Sequence, residues 1–162
     1  MIYIIMYLTA IVLANLSVAY FGVGATIINA FLFIGLDLTS RDKLHDAWKG
    51  NNLLIKMGLL IASGSLLSWV MNKNAGMIAI ASFVSFVIAG VIDTIVYHFL
   101  FNKSKMIKIN GSNIFSALAD SIVFPTIAFG VFMPIVILGQ FIAKLTGGFV
   151  WSLLLTKKPN DQ

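Results

Sequence analysis

The sequence predicts an all-α membrane protein, a bundle of six transmembrane helices that forms a single domain over residues 1–162. Four observations support this prediction. Hydrophobic residues make up 59% of the chain, charged residues make up 10%, and the mean hydropathy is +0.97, whereas soluble domains average about 25% charged residues. The apolar runs are also too long, and alternate too little, for the strands of a membrane barrel.

Each predicted span ends at a polar or glycine-containing break. The apolar runs between these breaks are compared with the roughly 20 residues that a helix needs to cross the hydrocarbon core. The first run lacks the basic start of a signal peptide, so we expect a retained helix that ends at Gly22. The second run is short and ends before SRDKLHDAWKGNN, while NKNAG, NKSKMIKINGS and the stretch around Gly130 provide the later breaks. The six predicted spans are residues 2–21, 23–38, 51–71, 75–101, 112–130 and 132–155.

The charged segment after the second span has the pattern of an interfacial helix. It begins with a capping residue at Ser40 and places Leu44, Ala47 and Trp48 at helical spacing. A helix that lies at the membrane surface and is anchored by its tryptophan has this pattern.

The basic residues predict the orientation. Six crossings put both termini on one side, and Lys73 is the basic residue of the opposite loops. Loops rich in lysine and arginine face the cytoplasm, so we expect a protein of the cytoplasmic (cell inner) membrane with cytoplasmic N and C termini. The basic residues on that side are Arg41, Lys43, Lys49, Lys103, Lys105, Lys108, Lys157 and Lys158.

Two aspartates interrupt apolar spans in the same local sequence frame. Asp93 stands in IDTIVYHFL, and Asp120 stands in ADSIVFPTI 27 residues later. A charge inside a membrane costs about 2.5–3.5 kcal/mol on insertion scales, so such residues usually face a bundle interior and mark a ligand or proton path. Counted from the predicted span ends, both carboxylates lie about 12 Å from the cytoplasmic face. We therefore expect both to face one cavity.

Lys144 is a third intramembrane charge, in GQFIAKLTGG of the last span. Pairing with an aspartate is the arrangement that buries this charge at the lowest cost in free energy. One reading is a pair that only holds helices together. The other is a ligand site, because the aspartates outnumber the lysine and one carboxylate is left to bind a ligand or carry a proton.

Hydroxyl and amide side chains precede each aspartate at helical spacing. Ser85 lies eight residues before Asp93, while Asn113 and Ser116 lie seven and four residues before Asp120. These positions share one helical face. Small-residue helix packing of the kind common in membranes is the alternative interpretation.

Tyr97 and Phe124 occupy the same position in the two frames, four residues after the aspartate. An aromatic ring one turn from a carboxylate can stack on a flat ligand, although such rings more often pack in a core.

Catalysis, metal binding and nucleic-acid binding are not supported. The chain has no cysteine and two histidines far apart, and it lacks the HExxH, GxSxG and P-loop motifs. The net charge of +5 is explained by the cytoplasmic loops, since no basic and aromatic soluble face exists. We expect no enzyme activity, no cofactor and no metal.

Several motifs resemble the vitamin-uptake-transporter-like (VUT, YhhQ-type) family of queuosine-precursor transporters. They are GLDLTSRDKLHDAW, ASFVSFVIAGVIDTIVYHFL, SNIFSALADSIVFP and the lysine of GQFIAKL. The resemblance implies a six-helix fold like the substrate-binding (S) components of energy-coupling-factor (ECF) importers, and a 7-deazaguanine base such as 7-cyano-7-deazaguanine as the ligand.

The resemblance also suggests roles for individual residues. Asp93 and Asp120 would accept hydrogen bonds from the base edge, Asn113 and Lys144 would donate to its carbonyl oxygen, and Tyr97 or Phe124 would stack on it. Ser85 and Ser116 complete the polar face. The chain departs from the family pattern TD-x-x-x-E-x-Y-G in its 37–45 segment, where Asp37 and Arg41 are further candidate substrate-binding residues.

Two alternatives remain open at this stage. The same fold could take up another vitamin-like small molecule, or the chain could be a membrane scaffold without transport. Besides the substrate and the lipid bilayer, the expected partners are a second copy of the chain or an energising protein, because the sequence carries no ATPase motif.

Overall fold

The computed structural model describes residues 1–48 and 52–156, all of them in helices or the short turns between helices. These described residues form seven α-helices, which are α1 (Ile2–Phe21), α2 (Ala25–Asn29), α3 (Gly35–Trp48), α4 (Leu53–Met71), α5 (Gly76–Phe99), α6 (Lys105–Phe129) and α7 (Pro134–Thr156). A 3₁₀ turn at Gly22–Gly24 joins α1 to α2, and a π turn at Ala30–Ile34 joins α2 to α3.

Five stretches within the described residues are long and apolar enough to cross a membrane. They are Ile2–His45, Leu53–Met71, Lys73–Phe99, Asn110–Phe129 and Pro134–Leu155. The predicted second span, residues 23–38, thus falls inside the first stretch. The structure confirms an all-helical fold with several membrane-spanning helices.

The first of these stretches folds back on itself. Its 44 residues would measure about 66 Å as one straight helix, but Asn29 Nδ2 donates hydrogen bonds to the Ala14 carbonyl (3.3 Å) and to Ser17 Oγ (2.5 Å). In a straight helix, residues 14 and 29 would lie about 22 Å apart. The chain reverses at Gly22, whose φ of 66° suits glycine.

Glycines allow the second leg, from α2 to α3, to contact α7 backbone to backbone. A Cβ atom added to Gly35 would lie 2.6 Å from the Gly147 carbonyl carbon, and one added to Gly147 would overlap the Phe31 carbonyl. Trp151 Nε1 donates to the Leu32 carbonyl across 2.8 Å, within the π turn. Small residues at a helix interface bring membrane helices together in this way.

The segment from Ser40 to Trp48 is the end of α3 and does not form a separate interfacial helix. Ser40 and Leu44 are buried, and Leu44 belongs to an apolar cluster with Tyr7, Ile11, Met57 and Ile61. This contact packs the segment against α1 and α4, because burial of Leu44 in the cluster is favourable for an apolar side chain.

α5 and α6 form an antiparallel hairpin. Ser104 caps α6 by accepting a hydrogen bond from the Ile107 amide (3.5 Å). Pro125 lies buried inside α6. Proline has no N–H group, so it offers no helical hydrogen bond to the carbonyl four residues earlier, at Ser121.

The distribution of polarity is that of a membrane protein. Exposed positions carry large apolar side chains such as Leu54, Ile135 and Phe149, while Asp120 and Lys144 are buried. Lipid tails solvate the apolar surface, and the polar groups find partners inside the bundle. Lys49, Lys157 and Lys158 of the orientation argument lie outside the described residues, so the orientation stays a prediction.

Candidate functional site

An ion pair between α6 and α7 lies at the centre of the candidate site. Lys144 Nζ is 2.6 Å from Asp120 Oδ2, and the two residues are 2% and 5% exposed. The ammonium also donates to Ser121 Oγ (3.0 Å) and to Gln140 Oε1 (3.4 Å). An ammonium has three N–H donors, so each of them has an acceptor here.

A small cavity adjoins this pair. Its volume is about 30 Å³, which is room for about two water molecules. α1, the α2–α3 leg, α5, α6 and α7 all contribute to its wall, and Phe86 and Phe124 form apolar parts of it. The amide and charged side chains that line it are Asn15, Asn29, Asp120, Gln140 and Lys144.

Two polar atoms at this cavity have no hydrogen-bond partner among the described residues. They are Asp120 Oδ1 and Gln140 Nε2, and both are fully buried. A buried polar atom without a partner costs about 1–3 kcal/mol. The cavity can therefore favourably hold water or a polar ligand between these atoms.

A second polar cluster lies nearer to the helix ends. Arg41 Nη2 of α3 donates to Asn113 Oδ1 of α6 (2.9 Å), and Arg41 Nε lies 3.9 Å from Asp42 Oδ1. Asp37 and Asp93 are close enough to Arg41 to interact electrostatically. We call Asp37, Arg41, Asp93 and Asn113 the arginine cluster.

Asp37 connects the arginine cluster to the ion pair. It is 2% exposed, and it interacts electrostatically with Arg41, Asp120 and Lys144. Its Oδ1 atom is buried without a hydrogen-bond partner among the described residues. A series of interacting charged side chains therefore extends through the bundle, namely Lys144, Asp120, Asp37 and Arg41.

The expectation that Asp93 and Asp120 face one cavity stays a prediction, and in this conformation the two aspartates lie at different levels of the α5–α6 hairpin. Asp120 lines the cavity and Asp93 does not. The reason is the length of α6, which begins at Lys105 and not near residue 112. Asp120 is thus about 22 Å along α6, while Asp93 is about 9 Å from the end of α5 at Phe99.

The two repeated sequence frames also differ in the location of the aromatic side chain four residues after the aspartate. Phe124 lines the cavity, whereas Tyr97 is 39% exposed and its ring centroid lies 5.3 Å from Lys108 Nζ. The structure therefore brings Phe124, and not Tyr97, to the cavity.

The two serines predicted as site residues, Ser85 and Ser116, lie in different parts of the bundle. Ser85 lines the cavity and donates to the Ser82 carbonyl (3.1 Å). Ser116 is buried and donates to the Asn113 carbonyl (3.2 Å), outside the cavity wall. Of the ten predicted site residues, Ser85, Asp120, Phe124 and Lys144 meet at the cavity, and Asp37, Arg41, Asp93 and Asn113 form the arginine cluster.

Sequence reasoning did not select Asn15, Asn29 or Gln140 as site residues. Gln140 precedes Lys144 by four residues, which is one helical turn, and this spacing was the signal that could have identified it. The two asparagines interrupt apolar runs, as the aspartates do. No group of three His, Cys, Asp or Glu side chains that could hold a metal ion occurs in residues 1–48 and 52–156.

Comparison with known proteins agrees with a membrane transport function. The model of a family described as "Putative vitamin uptake transporter" matches residues 2–156. No curated protein and no solved structure matches the chain. Because the matched region covers nearly the whole chain, this integral membrane protein belongs to that vitamin uptake transporter family.

Proposed function

We propose that the protein takes up a queuosine precursor, a 7-deazaguanine base such as 7-cyano-7-deazaguanine, through the cavity beside Asp120 and Lys144. The buried and unpartnered Asp120 Oδ1 is the observation that carries the proposal. A guanine-like edge presents N–H donors, and a carboxylate accepts them in charge-assisted hydrogen bonds.

The charges at the site favour a neutral ligand. Lys144 balances the charge of Asp120 at 2.6 Å, so the cavity adds no strong net field. Phe124 and Phe86 line the same cavity, and aromatic rings there can stack on a flat heterocycle. A neutral bicyclic base fits this combination better than an ionised vitamin does.

The cavity is too small for a base in this conformation. Its volume of about 30 Å³ is far below the roughly 300–1,000 Å³ of pockets that hold drug-sized ligands. The helices must therefore separate to admit a base. Transporters do this by moving helical units against each other around a central site.

The reversal at Gly22–Gly24 supports the proposal of six crossings, with Ile2–Phe21 and the leg from Ala25 to Trp48 as the first two. This arrangement is like that of ECF S components. With six crossings, the basic loops predict that both termini lie on the cytoplasmic side of the inner membrane, together with Arg41 and Lys108. An energising partner, a solute gradient or facilitated movement drives uptake, and the active form is one copy or a homo-oligomer.

The test uses a bacterial host that cannot make queuosine precursors. Expression of the chain should restore queuosine in transfer RNA when 7-cyano-7-deazaguanine is supplied at low external concentration. The variant with Asp120→Asn and Lys144→Gln should not, because it loses the carboxylate acceptor while the site stays electrically balanced. Thr126→Val is the matched α6 control, since the Thr126 hydroxyl donates to the Ile122 carbonyl of its own helix at an exposed position.

A binding screen on the purified protein separates the alternatives. The family description favours a vitamin-like ligand, so a protein that ignores deazaguanines and retains another vitamin keeps its transport role and loses this substrate. A membrane scaffold would bind neither class. It would also tolerate the charge-balanced variant with Asp120→Asn and Lys144→Gln.

A further inference from the structure

Gln140 is held in one orientation by Lys144. Gln140 is 2% exposed, and its Oε1 atom lies 3.4 Å from Lys144 Nζ. An ammonium donates hydrogen bonds and accepts none, so the amide must turn its oxygen toward Lys144. The NH₂ group of Gln140 is thereby left as the free end of the side chain.

The same ammonium fixes the Asp120 carboxylate. Lys144 holds Oδ2 at 2.6 Å, and Oδ1 is the oxygen left without a partner. A single cation thus positions one spare hydrogen-bond acceptor and one spare hydrogen-bond donor, Asp120 Oδ1 and Gln140 Nε2, at one cavity. Both atoms are buried, so a ligand that leaves either one unpaired loses affinity.

In donor and acceptor character, this pair of atoms matches an N–H group next to a carbonyl oxygen. That arrangement is the edge of a lactam, in which the N–H donates to a carboxylate and the oxygen accepts from an amide. The reverse edge is an unprotonated ring nitrogen beside an amino group. Its ring nitrogen would face the acceptor Asp120 Oδ1, and its amino group would face the donor Gln140 Nε2, so neither hydrogen bond could form. Sites built on buried hydrogen bonds discriminate strongly between such edges.

We propose that Gln140 is a specificity-determining residue, which donates from Nε2 to the carbonyl oxygen of a lactam edge while Asp120 Oδ1 accepts the adjacent N–H. This inference deepens the proposed function and rests on it, because it assigns the carbonyl-binding role to Gln140 in the same cavity. Lys144 then positions both groups and does not itself need to reach the ligand.

The test compares two ligands on purified protein. One is 7-cyano-7-deazaguanine, which has the lactam edge, and the other is its analogue with the 6-oxo group replaced by an amino group. Gln140→Glu keeps an oxygen for Lys144 and replaces the NH₂ donor with a second, negatively charged oxygen. Gln140→Met removes both polar atoms at similar size and serves if the extra negative charge of Gln140→Glu prevents folding.

We expect the native protein to prefer the lactam. The ratio of the two dissociation constants should shift toward the amino analogue by at least about tenfold in Gln140→Glu. Thr146→Val is the matched α7 control, because the exposed Thr146 hydroxyl donates to the Ile142 carbonyl of its own helix. It should leave the ratio unchanged.

The outcomes separate the two proposals. An unchanged ratio, or equal weakening of both ligands in both variants, would show that Gln140 only supports the fold. If the native protein ignores deazaguanines but prefers another lactam to its amino analogue in a Gln140-dependent way, the substrate is wrong and the role of Gln140 stands. Binding of no lactam at all overturns both.

Discussion

Arg41 Nη2 donates a hydrogen bond to Asn113 Oδ1 across 2.9 Å, joining α3 to α6 over a sequence separation of 72 residues. The bond links the two helices at the arginine cluster, on the side of the bundle that the basic loops predict to be cytoplasmic. The first prediction follows from the loss of this bond.

Asn113→Ala removes the acceptor and leaves a charged donor with one bond fewer. We expect the free energy of unfolding to fall by about 1–3 kcal/mol, measured by SDS titration in mixed micelles. Thr126→Val on the same helix is the control. Equal stability of the native and Asn113→Ala proteins would show that the bond contributes nothing.

Asp120→Asn should destabilise the protein, because it leaves the Lys144 ammonium buried and without a countercharge. Breaking one side of a buried pair costs about 3–5 kcal/mol. Changing Lys144→Gln in addition should restore most of that loss without restoring uptake. The thermal midpoint and the uptake of each variant check this, and a single variant as stable as the native protein would contradict it.

Gly147→Ala should also destabilise the protein, because its Cβ would overlap the Phe31 carbonyl. Overpacking of this kind costs about 1–3 kcal/mol. Gly58→Ala is the matched control, since a Cβ there meets no atom within 4 Å. It should be neutral or stabilising by up to about 1 kcal/mol, from helix propensity alone. Similar unfolding curves for the two variants would refute the close helix contact.

The orientation can be mapped with single cysteines, because the native chain contains none. Asn74→Cys, in the 3₁₀ turn before α5, should react in intact cells with a maleimide reagent that cannot cross the inner membrane. Asn102→Cys, in the turn before α6, should react only after permeabilisation. Both positions are exposed, so access to the reagent depends on the side of the membrane. The opposite pattern of labelling would reverse the proposed topology.

Sequence reasoning located the pairing of Lys144 with an intramembrane aspartate, since a lone buried charge is expensive and few partners exist. It put Asp93 and Asp120 at one depth because hydropathy detects only the apolar part of α6. The helix continues back through polar residues to Lys105, which moves Asp120 deeper. Gln140 was missed because a single amide carries little signal until its contact with Lys144 is known.

The π turn at Ala30–Ile34 has the form of a one-residue insertion in a helix. Asn29 and Asp37, on either side of it, are both buried. Eight steps of a regular α-helix would rotate one side chain about 80° from the other, and the wider turn takes up part of this rotation. Deleting one residue from Ala30–Ile34 would restore a regular α-helix, in which seven steps separate the two positions and leave their side chains about 20° apart. Asn29 and Asp37 would then still lie on nearly one face, so this turn should tolerate the loss of a residue that would rotate the two halves of a regular helix by about 100°.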